Sequence, residues 1–294
     1  MTTASYWIEL VMSGIVTGAC YALIGAGLSL IWGTLKMVNL AHGEFYMLGA
    51  YLLWMSLTVG NMPLPIAILV AIVGVVAFSA MIHMTTIRPL LRKSGWDMSP
   101  WILTLGLQIL LQNLALQIWG ELYQNVPYFW NVVFRPWDLF TLSGQRIIIM
   151  VGALVVILAL MVMIKYTKLG RAIVATSQDG EFAMMMGINT KRVYLITYII
   201  SAGLAAIAGV LLCPVYSVNP WMGSTVQTKG LVVCILGGLG SVEGAIIAGI
   251  LIGICESLTV SIAGSAWRDA VAYLLLIVIL YVKPTGLFGK KREG

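Results

Sequence analysis

The chain has 294 residues, of which 60% are hydrophobic and only 10% are charged, and 17 Lys and Arg against 11 Asp and Glu give a net charge of +6. Soluble domains carry about 25% charged residues, and with a mean hydropathy of +0.98 this chain cannot cover itself with polar surface. A soluble globular protein is therefore excluded. We predict an all-α integral membrane protein, a polytopic helix bundle that forms one domain over residues 1–294.

Apolar runs that approach or exceed the roughly 20 residues needed to cross a bilayer recur along the whole chain. None shows the alternation of a membrane β-strand. The first is too long for a signal peptide, and no Lys or Arg precedes it, so we expect it to be retained. In chain order the runs cover residues 10–32, 40–59, 64–84, 99–119, 147–164, 193–212, 225–261 and 267–282.

Charge placement predicts the orientation. Basic residues dominate segments 88–93, 165–192 and 290–292, whereas segment 121–146 balances two acids with two bases. Because positive charge is retained in the cytoplasm, we expect the three basic segments inside, the N-terminus outside and the C-terminus in the cytoplasm. The basic loop that ends at residue 192 and the basic tail are then on the same side of the membrane only if an even number of crossings separates them.

An even number of crossings after residue 192 requires the run 225–261 to supply two of them. At 37 residues it would be about 55 Å long as one helix, and glycines at 237, 238 and 240 interrupt it. We predict two passes, the first of them, 225–238, being a short or discontinuous helix. The whole chain is expected to make eight or nine crossings, with discontinuous segments among them.

The four cysteines do not indicate a metal site. Cys20, Cys213, Cys234 and Cys255 lie in or beside apolar runs, without CxxC spacing or a His partner. They are interpreted as small buried apolar residues. No metal ligand is predicted.

Asn39, His42 and Glu44 form the most unusual polar cluster, at the start of the second run. An ionisable residue inside a membrane indicates a role in a substrate path. The alternative is local, since Glu44 can complement the helix dipole in a first turn, with Asn39 as the capping-type residue before it. Residues two apart do not share a helix face, so His42 and Glu44 are not expected to form a proton-relay pair.

A comparable arrangement recurs where glycine-rich backbone precedes a glutamate, at Gly238, Gly240 and Glu243. Paired interrupted spans are typical of repeats whose broken helices line a translocation path, although two independent helix starts would leave the same residues. We predict a path near residues 39–44 and 237–243. Glu256, Arg268 and Asp269 are interpreted as interfacial or mutually paired.

The long basic loop 166–192 is predicted to contain short helices along the membrane surface, with Gly187 ending one of them. Its methionines at 184–186 suit either lipid contact or the groove of a partner protein, because methionine side chains adapt their shape.

Three strings resemble the permease subunits of branched-chain amino acid type ABC transporters: NLAHGEFYMLGAY at 39–51, GRAIVATSQDGEFAMMMGI at 170–188 and ILGGLGSVEGAIIAG at 235–249. The middle string also resembles the coupling motif of ABC importers, Glu-Ala-Ala, three residues, Gly. Phe182 departs from that motif at its second position. The resemblance implies that the ATPase-coupling loop is carried by Arg171, Asp179, Glu181, Ala183 and Gly187.

The resemblance also implies a permease of the bacterial inner membrane that is not itself an enzyme. It would pair with a second related permease, two cytoplasmic ATPase subunits and a periplasmic solute-binding protein. ATP and Mg would be bound by the ATPases, and consistently this chain has no Walker string and is expected to bind no cofactor. The implied cargo is a branched-chain or related small amino acid, the alternatives being urea, short amides or small organic acids.

Two other classes of transporter compete with this interpretation. A secondary transporter would couple an ion gradient through Glu44 or Glu243. An aquaporin-like channel would need two Asn-Pro-Ala signatures, and the chain offers only Asn39-Leu40-Ala41 and Asn219-Pro220-Trp221. Both classes leave the loop at 170–188 unexplained.

Overall fold

The computed structural model describes residues 3–91, 99–134 and 141–289. The basic residues Arg92 and Lys93 and the tail at 290–292 lie outside them. The helices are α1 (Thr3–Leu35), α2 (His42–Thr58), α3 (Leu64–Ile82), α4 (Arg88–Leu90), α5 (Ser99–Trp119), α6 (Gly144–Tyr166), α7 (Lys168–Gln178), α8 (Gly180–Met185), α9 (Thr190–Leu212), α10 (Met222–Gly237), α11 (Val242–Ala263) and α12 (Arg268–Val282). A π-helical turn, His83–Ile87, joins α3 to α4, and a two-residue hairpin pairs β1 (Val133–Phe134) with β2 (Leu142–Ser143).

Within the described residues, seven helical segments are long and apolar enough to cross a membrane: α1, α3 with α4, α5, α6, α9, α11, and α12 with its preceding turn. Helices α2 and α10 have 17 and 16 residues, or about 26 and 24 Å at 1.5 Å per residue. Together they make nine, in agreement with the eight or nine crossings predicted. The protein is an integral membrane protein of the all-α class.

Helix α1 packs against α11 in an antiparallel pair, through glycines that face each other in the core of the bundle. A Cβ built on Gly18 would lie 2.8 Å from the carbonyl oxygen of Gly249, and one built on Gly14 would lie 2.9 Å from that of Gly253. Small residues four apart let the two backbones approach this closely, and dispersion contacts then hold the pair together in lipid. These glycines explain why so long a helix as α1 is mostly buried.

The predicted interruption of run 225–261 is confirmed. Helix α10 ends at Gly237 and α11 begins at Val242, and the turn between them uses Gly238 at φ 102° and Gly240 at φ 87°. L-residues with a side chain rarely adopt such backbone angles. The glycines therefore allow the chain to reverse direction within four residues.

Helices α1 and α2 are related to α9 and α10 by an inverted arrangement. Contacts of Gly25 with Val233 and of Gly33 with Gly240 show that α1 runs in the same direction as α10, while His42 near Ser201 and Gly49 near Ala206 give the same result for α2 and α9. In each pair a long helix crosses, the chain turns back, and the second helix starts inside the bundle. Such inverted pairs with discontinuous helices are common in transporters.

Candidate functional site

The start of α2 lies inside the bundle. A Cβ on Gly27, two turns before the end of α1, would lie 2.9 Å from the His42 ring, so residues 36–41 carry the chain back along α1 before α2 begins. The Asn39 side chain accepts a hydrogen bond from Ala41 N at 3.1 Å and donates one to Tyr198 Oη at 3.2 Å. Asn39 thus organises this turn, although the residue at the N-cap position itself is Ala41.

The start of α10 meets the start of α2. Gln227 of α10 donates to the backbone carbonyl of Asn39 at 3.0 Å and accepts from Gly43 N at 2.7 Å. A Cβ on Gly43 would overlap the carbonyl oxygen of Gly223. Before α10, Asn219 accepts from Trp221 N at 3.0 Å, as Asn39 does from Ala41. The counterpart of the Asn39 turn is therefore the Asn219 turn, and not the Gly238–Glu243 segment with which the sequence pattern paired it.

Glu44 lies in the first turn of α2 and is 0% exposed. Neither carboxyl oxygen has a hydrogen-bond partner among the described residues. A Cβ on Gly223 would lie 2.7 Å from Glu44 Oε2, so the carboxyl group lies between the N-terminal turns of α2 and α10. The positive ends of two helix dipoles offset part of the cost of burying it.

His42 and Ser201 extend this cluster toward α9. Ser201 Oγ lies 3.4 Å from His42 Nδ1, and both side chains are fully buried. Phe45 packs edge-on against both the His42 and the Tyr198 rings. We call Asn39, His42, Glu44, Ser201 and Gln227 the polar centre. It combines the buried backbone of two helix starts with side chains that can donate and accept hydrogen bonds.

Gly238, Gly240 and Glu243 are not part of the polar centre. Gly240 contacts Gly33, six residues or about 9 Å along α1 from the Gly27 that contacts His42. Glu243 is exposed at the start of α11. The structure therefore brings Asn39, His42 and Glu44 together and places the second predicted segment at one end of the bundle. Beside that segment is an apolar cavity of about 160 Å³, lined by residues that include Trp32, Trp101 and Leu239.

A charge cluster joins α10, α11 and α12 around the buried pair Lys229 and Glu256, and of its members only Lys229 was not identified from the sequence. Lys229 of α10 pairs with Glu256 at 2.5 Å and with Asp269 at 2.8 Å, while Arg268 Nε lies 3.1 Å from Glu256. Tyr21 also donates to Glu256. The mutual pairing expected for Glu256, Arg268 and Asp269 is present in part, and Lys229 connects it. A lysine within an apolar run was the available signal.

The predicted short helices of the basic loop are present as α7 and α8. Asp179 caps α8 by accepting from Glu181 N and Phe182 N, each at 2.9 Å, and Gly187 at φ 86° ends the turn that follows. Ala183 is 3% exposed, whereas Phe182, Met184, Met185 and Met186 are between 58% and 80% exposed. Arg171 and Glu181 are also exposed. The loop thus presents an apolar tip on a well-capped helical turn.

Lys36 connects this loop to the polar centre. Its Nζ donates to the carbonyl oxygen of Ser177 at 2.7 Å, in the last turn of α7, where the negative end of a helix dipole favours an ammonium group. Lys36 itself has φ 53° and begins the turn that leads to Asn39. Lys36 thus joins the last turn of α7 to the turn that precedes α2. Among the described residues no group of three His, Cys, Asp or Glu side chains could hold a metal ion.

Comparison with known proteins identifies the family. Residues 10–280 match the family model described as branched-chain amino acid transport system / permease component. The high-affinity branched-chain amino acid transport system permease protein LivH of Escherichia coli K12 is 33% identical, over 97% of this chain and 96% of its own. BraD of Pseudomonas aeruginosa, with the same description, is also 33% identical over the same shares.

The fold has a solved counterpart. A chain of PsaBC from Streptococcus pneumoniae, in complex with Fab, superposes with a TM-score of 0.53 at 12% identity and covers 95% of this chain and 96% of that one. At that identity the likeness concerns the fold alone. The match of the family model and the identity to LivH and BraD over nearly the whole chain go further: this chain belongs to the family of permease components of branched-chain amino acid transport systems.

Proposed function

We propose that this chain is the translocation subunit of an ATP-driven importer for branched-chain or related small amino acids. The observation that carries the proposal is the 33% identity to LivH over 97% of the chain, since LivH is described as a high-affinity branched-chain amino acid transport permease. In this role the chain provides a path and performs no chemical conversion. ATP and Mg are bound by partner ATPases, and this chain binds neither.

The partners proposed are a second related permease, two cytoplasmic ATPases and a periplasmic solute-binding protein. The exposed apolar tip at 182–186 supports ATPase docking at loop 166–192, because a capped helical turn with exposed methionines fits an apolar groove. Asp179, Gly187 and buried Ala183 hold this tip in shape, while Arg171 and Glu181 supply charge beside it.

The orientation proposed places the N-terminus outside, loop 166–192 and the C-terminus in the cytoplasm, and the whole chain in the bacterial inner membrane as one domain. Nine crossings from an external N-terminus end in the cytoplasm, which agrees with the basic residues of the loop and tail. Residues 213–221, which lead into α10, then enter the membrane from outside, and residues 36–41 enter it from inside.

The path is proposed to pass the polar centre. Asn39, His42 and Glu44 offer polar groups that are surrounded by protein rather than lipid, as a zwitterion requires. Gly238 and Gly240 are proposed to border its cytoplasmic end, next to the apolar cavity near Trp32, with exposed Glu243 beside them but not required for passage. High affinity is not needed in such a path, because the binding protein selects the cargo.

Uptake into vesicles with controlled internal contents tests the proposal. Vesicles containing the assembled transporter are loaded with or without ATP, and uptake of labelled leucine is measured with and without the binding protein. We expect uptake only when both are present. Uptake driven by an ion gradient without ATP would show a secondary transporter instead. Urea, short amides and small organic acids in the same assay test the alternative cargoes.

A further inference from the structure

A cavity of about 330 Å³ opens at the end of the bundle where α1, α6 and α12 begin and α11 ends. Four charged side chains line it, two acids and two bases: Glu9, Arg146, Glu256 and Arg268. Its volume is at the lower end of the roughly 300–1,000 Å³ that small-molecule sites occupy. A charged lining excludes a lipid acyl chain as the natural occupant.

The inner wall of the cavity holds Arg268 in a fixed place. Glu256 is 1% exposed and its two oxygens already accept from Lys229, Tyr21 and Arg268, so it is not available to a ligand. Arg268 is bonded to Glu256 through Nε and its side chain is 36% exposed. A guanidinium carries five N–H donors, which leaves donors of Arg268 for an anion in the cavity.

The outer wall supplies one further charge of each sign. Glu9 Oε1 accepts from Thr141 N at 2.7 Å and from Thr141 Oγ1 at 2.6 Å, which fixes this carboxylate while leaving Oε2 without a hydrogen bond among the described residues. Arg146, at the start of α6, makes no ion pair within 4 Å with any described carboxylate. It still interacts electrostatically with Glu9. Leu10 and Val260 add apolar surface between these groups.

We infer that this cavity binds an amino acid in its zwitterionic form, with the α-carboxylate at Arg146 and Arg268, the α-ammonium at Glu9, and an aliphatic side chain against Leu10 and Val260. The balance of charges matches a ligand with both charges and no net charge, because a simple anion would face Glu9 and a simple cation would face two arginines. The choice of an amino acid rests on the proposed function.

In the proposed orientation the cavity lies at the external end of the bundle, so an imported ligand meets it before the polar centre. Glu256 at its inner wall is bonded to Lys229, which lies on α10 two residues from Gln227 of the polar centre. A bound carboxylate at Arg268 shares the guanidinium with Glu256, through the donors that Glu256 does not use. Occupancy of the cavity is thereby linked to the ion pairs that hold α10 against α11 and α12.

Ligand-observed NMR on the full-length chain in lipid nanodiscs tests the inference, without ATPase or binding protein. Saturation transfer to the methyl groups of L-leucine is titrated, and L-leucinamide, which lacks the carboxylate, and 4-methylpentanoate, which lacks the ammonium group, are titrated in parallel. We expect leucine to bind, and both analogues to bind about tenfold more weakly, since each loses one charge-assisted hydrogen-bonded contact.

Variants of the cavity test which side chain binds the carboxylate of leucine and which binds its ammonium group. Arg146→Gln should weaken leucine binding about tenfold and leave leucinamide unchanged, whereas Glu9→Gln should weaken leucine and leave 4-methylpentanoate unchanged. Arg146→Lys keeps the charge and should retain most of the binding. Arg192→Gln, an exposed arginine at the start of α9, is the control and should behave as wild type.

Three results would overturn the inference: equal binding of leucine and its two analogues, leucine binding unaffected in both Arg146→Gln and Glu9→Gln, or no saturation transfer to leucine at all. Loss of binding-protein association in Arg146→Gln with leucine binding intact would assign the cavity to protein docking instead. The assay is independent of ATP-driven uptake. A transporter that fails to import leucine while this site binds it would therefore refute the proposed function and not the site.

Discussion

Glu44 and Glu243 occupy matching places in the sequence and opposite environments in the fold. Glu44 follows Gly43, and Glu243 follows the glycine-containing turn 238–241. Each lies in the first turn of an apolar helix. Glu44 is 0% exposed, against the start of α10, whereas Glu243 is exposed at one end of the bundle. Glycine followed by glutamate before an apolar run thus predicts where a helix begins, but not how deep in the membrane it begins. The packing of the preceding turn decides whether it begins inside the membrane.

The two helix starts also differ in what the glutamate contributes. At α11, Ser241 Oγ accepts from Gly244 N at 3.1 Å, so capping does not depend on Glu243. At α2 no side chain caps the helix, and the buried carboxyl of Glu44 has no described partner. An ionisable group in such a place is costly to keep, which supports a role in transport for Glu44 and a minor role for Glu243.

The largest effect is expected at the interior charge cluster. Lys229→Met leaves Glu256 buried with one ammonium partner fewer, and removing one partner of a buried ion pair costs about 3–5 kcal/mol. The exposed Lys191→Met provides the control, with a change below about 0.5 kcal/mol. Thermal unfolding of the purified complex measures both. Equal melting temperatures for the two variants would show that the interior pair is not structurally important, and Lys229→Met/Glu256→Gln should recover part of the loss.

The contact between α2 and α10 is tested by a single methyl group. Gly43→Ala places a Cβ against the carbonyl oxygen of Gly223, whereas Gly106→Ala on α5 has nothing within 4 Å. Overpacking should destabilise Gly43→Ala by about 1–3 kcal/mol, and Gly106→Ala should be neutral or slightly stabilising. Yield of assembled complex and its melting temperature are the readouts. An unaffected Gly43→Ala would mean that the two helix starts do not meet.

At the exposed loop we expect loss of partner binding with a smaller loss of stability. Gly187 and Gly120 both have positive φ, at 86° and 79°, and neither has an atom within 4 Å of a built Cβ. Leucine at either place therefore brings the same backbone strain, about 1–2 kcal/mol. Only Gly187→Leu should abolish co-purification of the ATPase. Retention of the ATPase by both variants would contradict docking at this loop.

The smallest effect is expected at the cap of α8. Asp179→Ala removes the acceptor for two backbone N–H groups, a loss of about 1 kcal/mol. Asn189→Ala removes the matching cap of α9, which accepts from Arg192 N. Hydrogen exchange at residues 180–187 should rise in Asp179→Ala alone, and substrate-stimulated ATP hydrolysis should fall several-fold. Unchanged hydrolysis despite faster exchange would separate the order of α8 from coupling.

The sequence predicts what depends on local chemistry. The glycines at 238 and 240 predict the end of α10, Gly187 the end of α8, and the apolar lengths the number of crossings. The Asn39 turn was recognised as polar because no loop surrounds it.

What could not be predicted depends on contacts between distant segments. Asn219 lies 180 residues from Asn39, and only helix packing shows that their turns are counterparts. Lys229 follows Gln227 and Thr228 in the sequence, and its charged partners are on α11 and α12, 27 and 40 residues away. Burial of Glu44 and exposure of Glu243 follow from the depth at which each helix begins, which neither local sequence encodes.

Transport per assembled complex shows whether the translocation path passes the polar centre at Glu44. Glu44→Gln and Glu243→Gln are compared with wild type in vesicles, with the amount of complex and the leucine affinity of the binding protein measured separately. We expect transport per complex to fall at least about tenfold in Glu44→Gln and to be unchanged in Glu243→Gln, with the binding protein unaffected. Normal transport per assembled complex in Glu44→Gln would contradict the claim and leave Glu44 as a structural residue of a helix start.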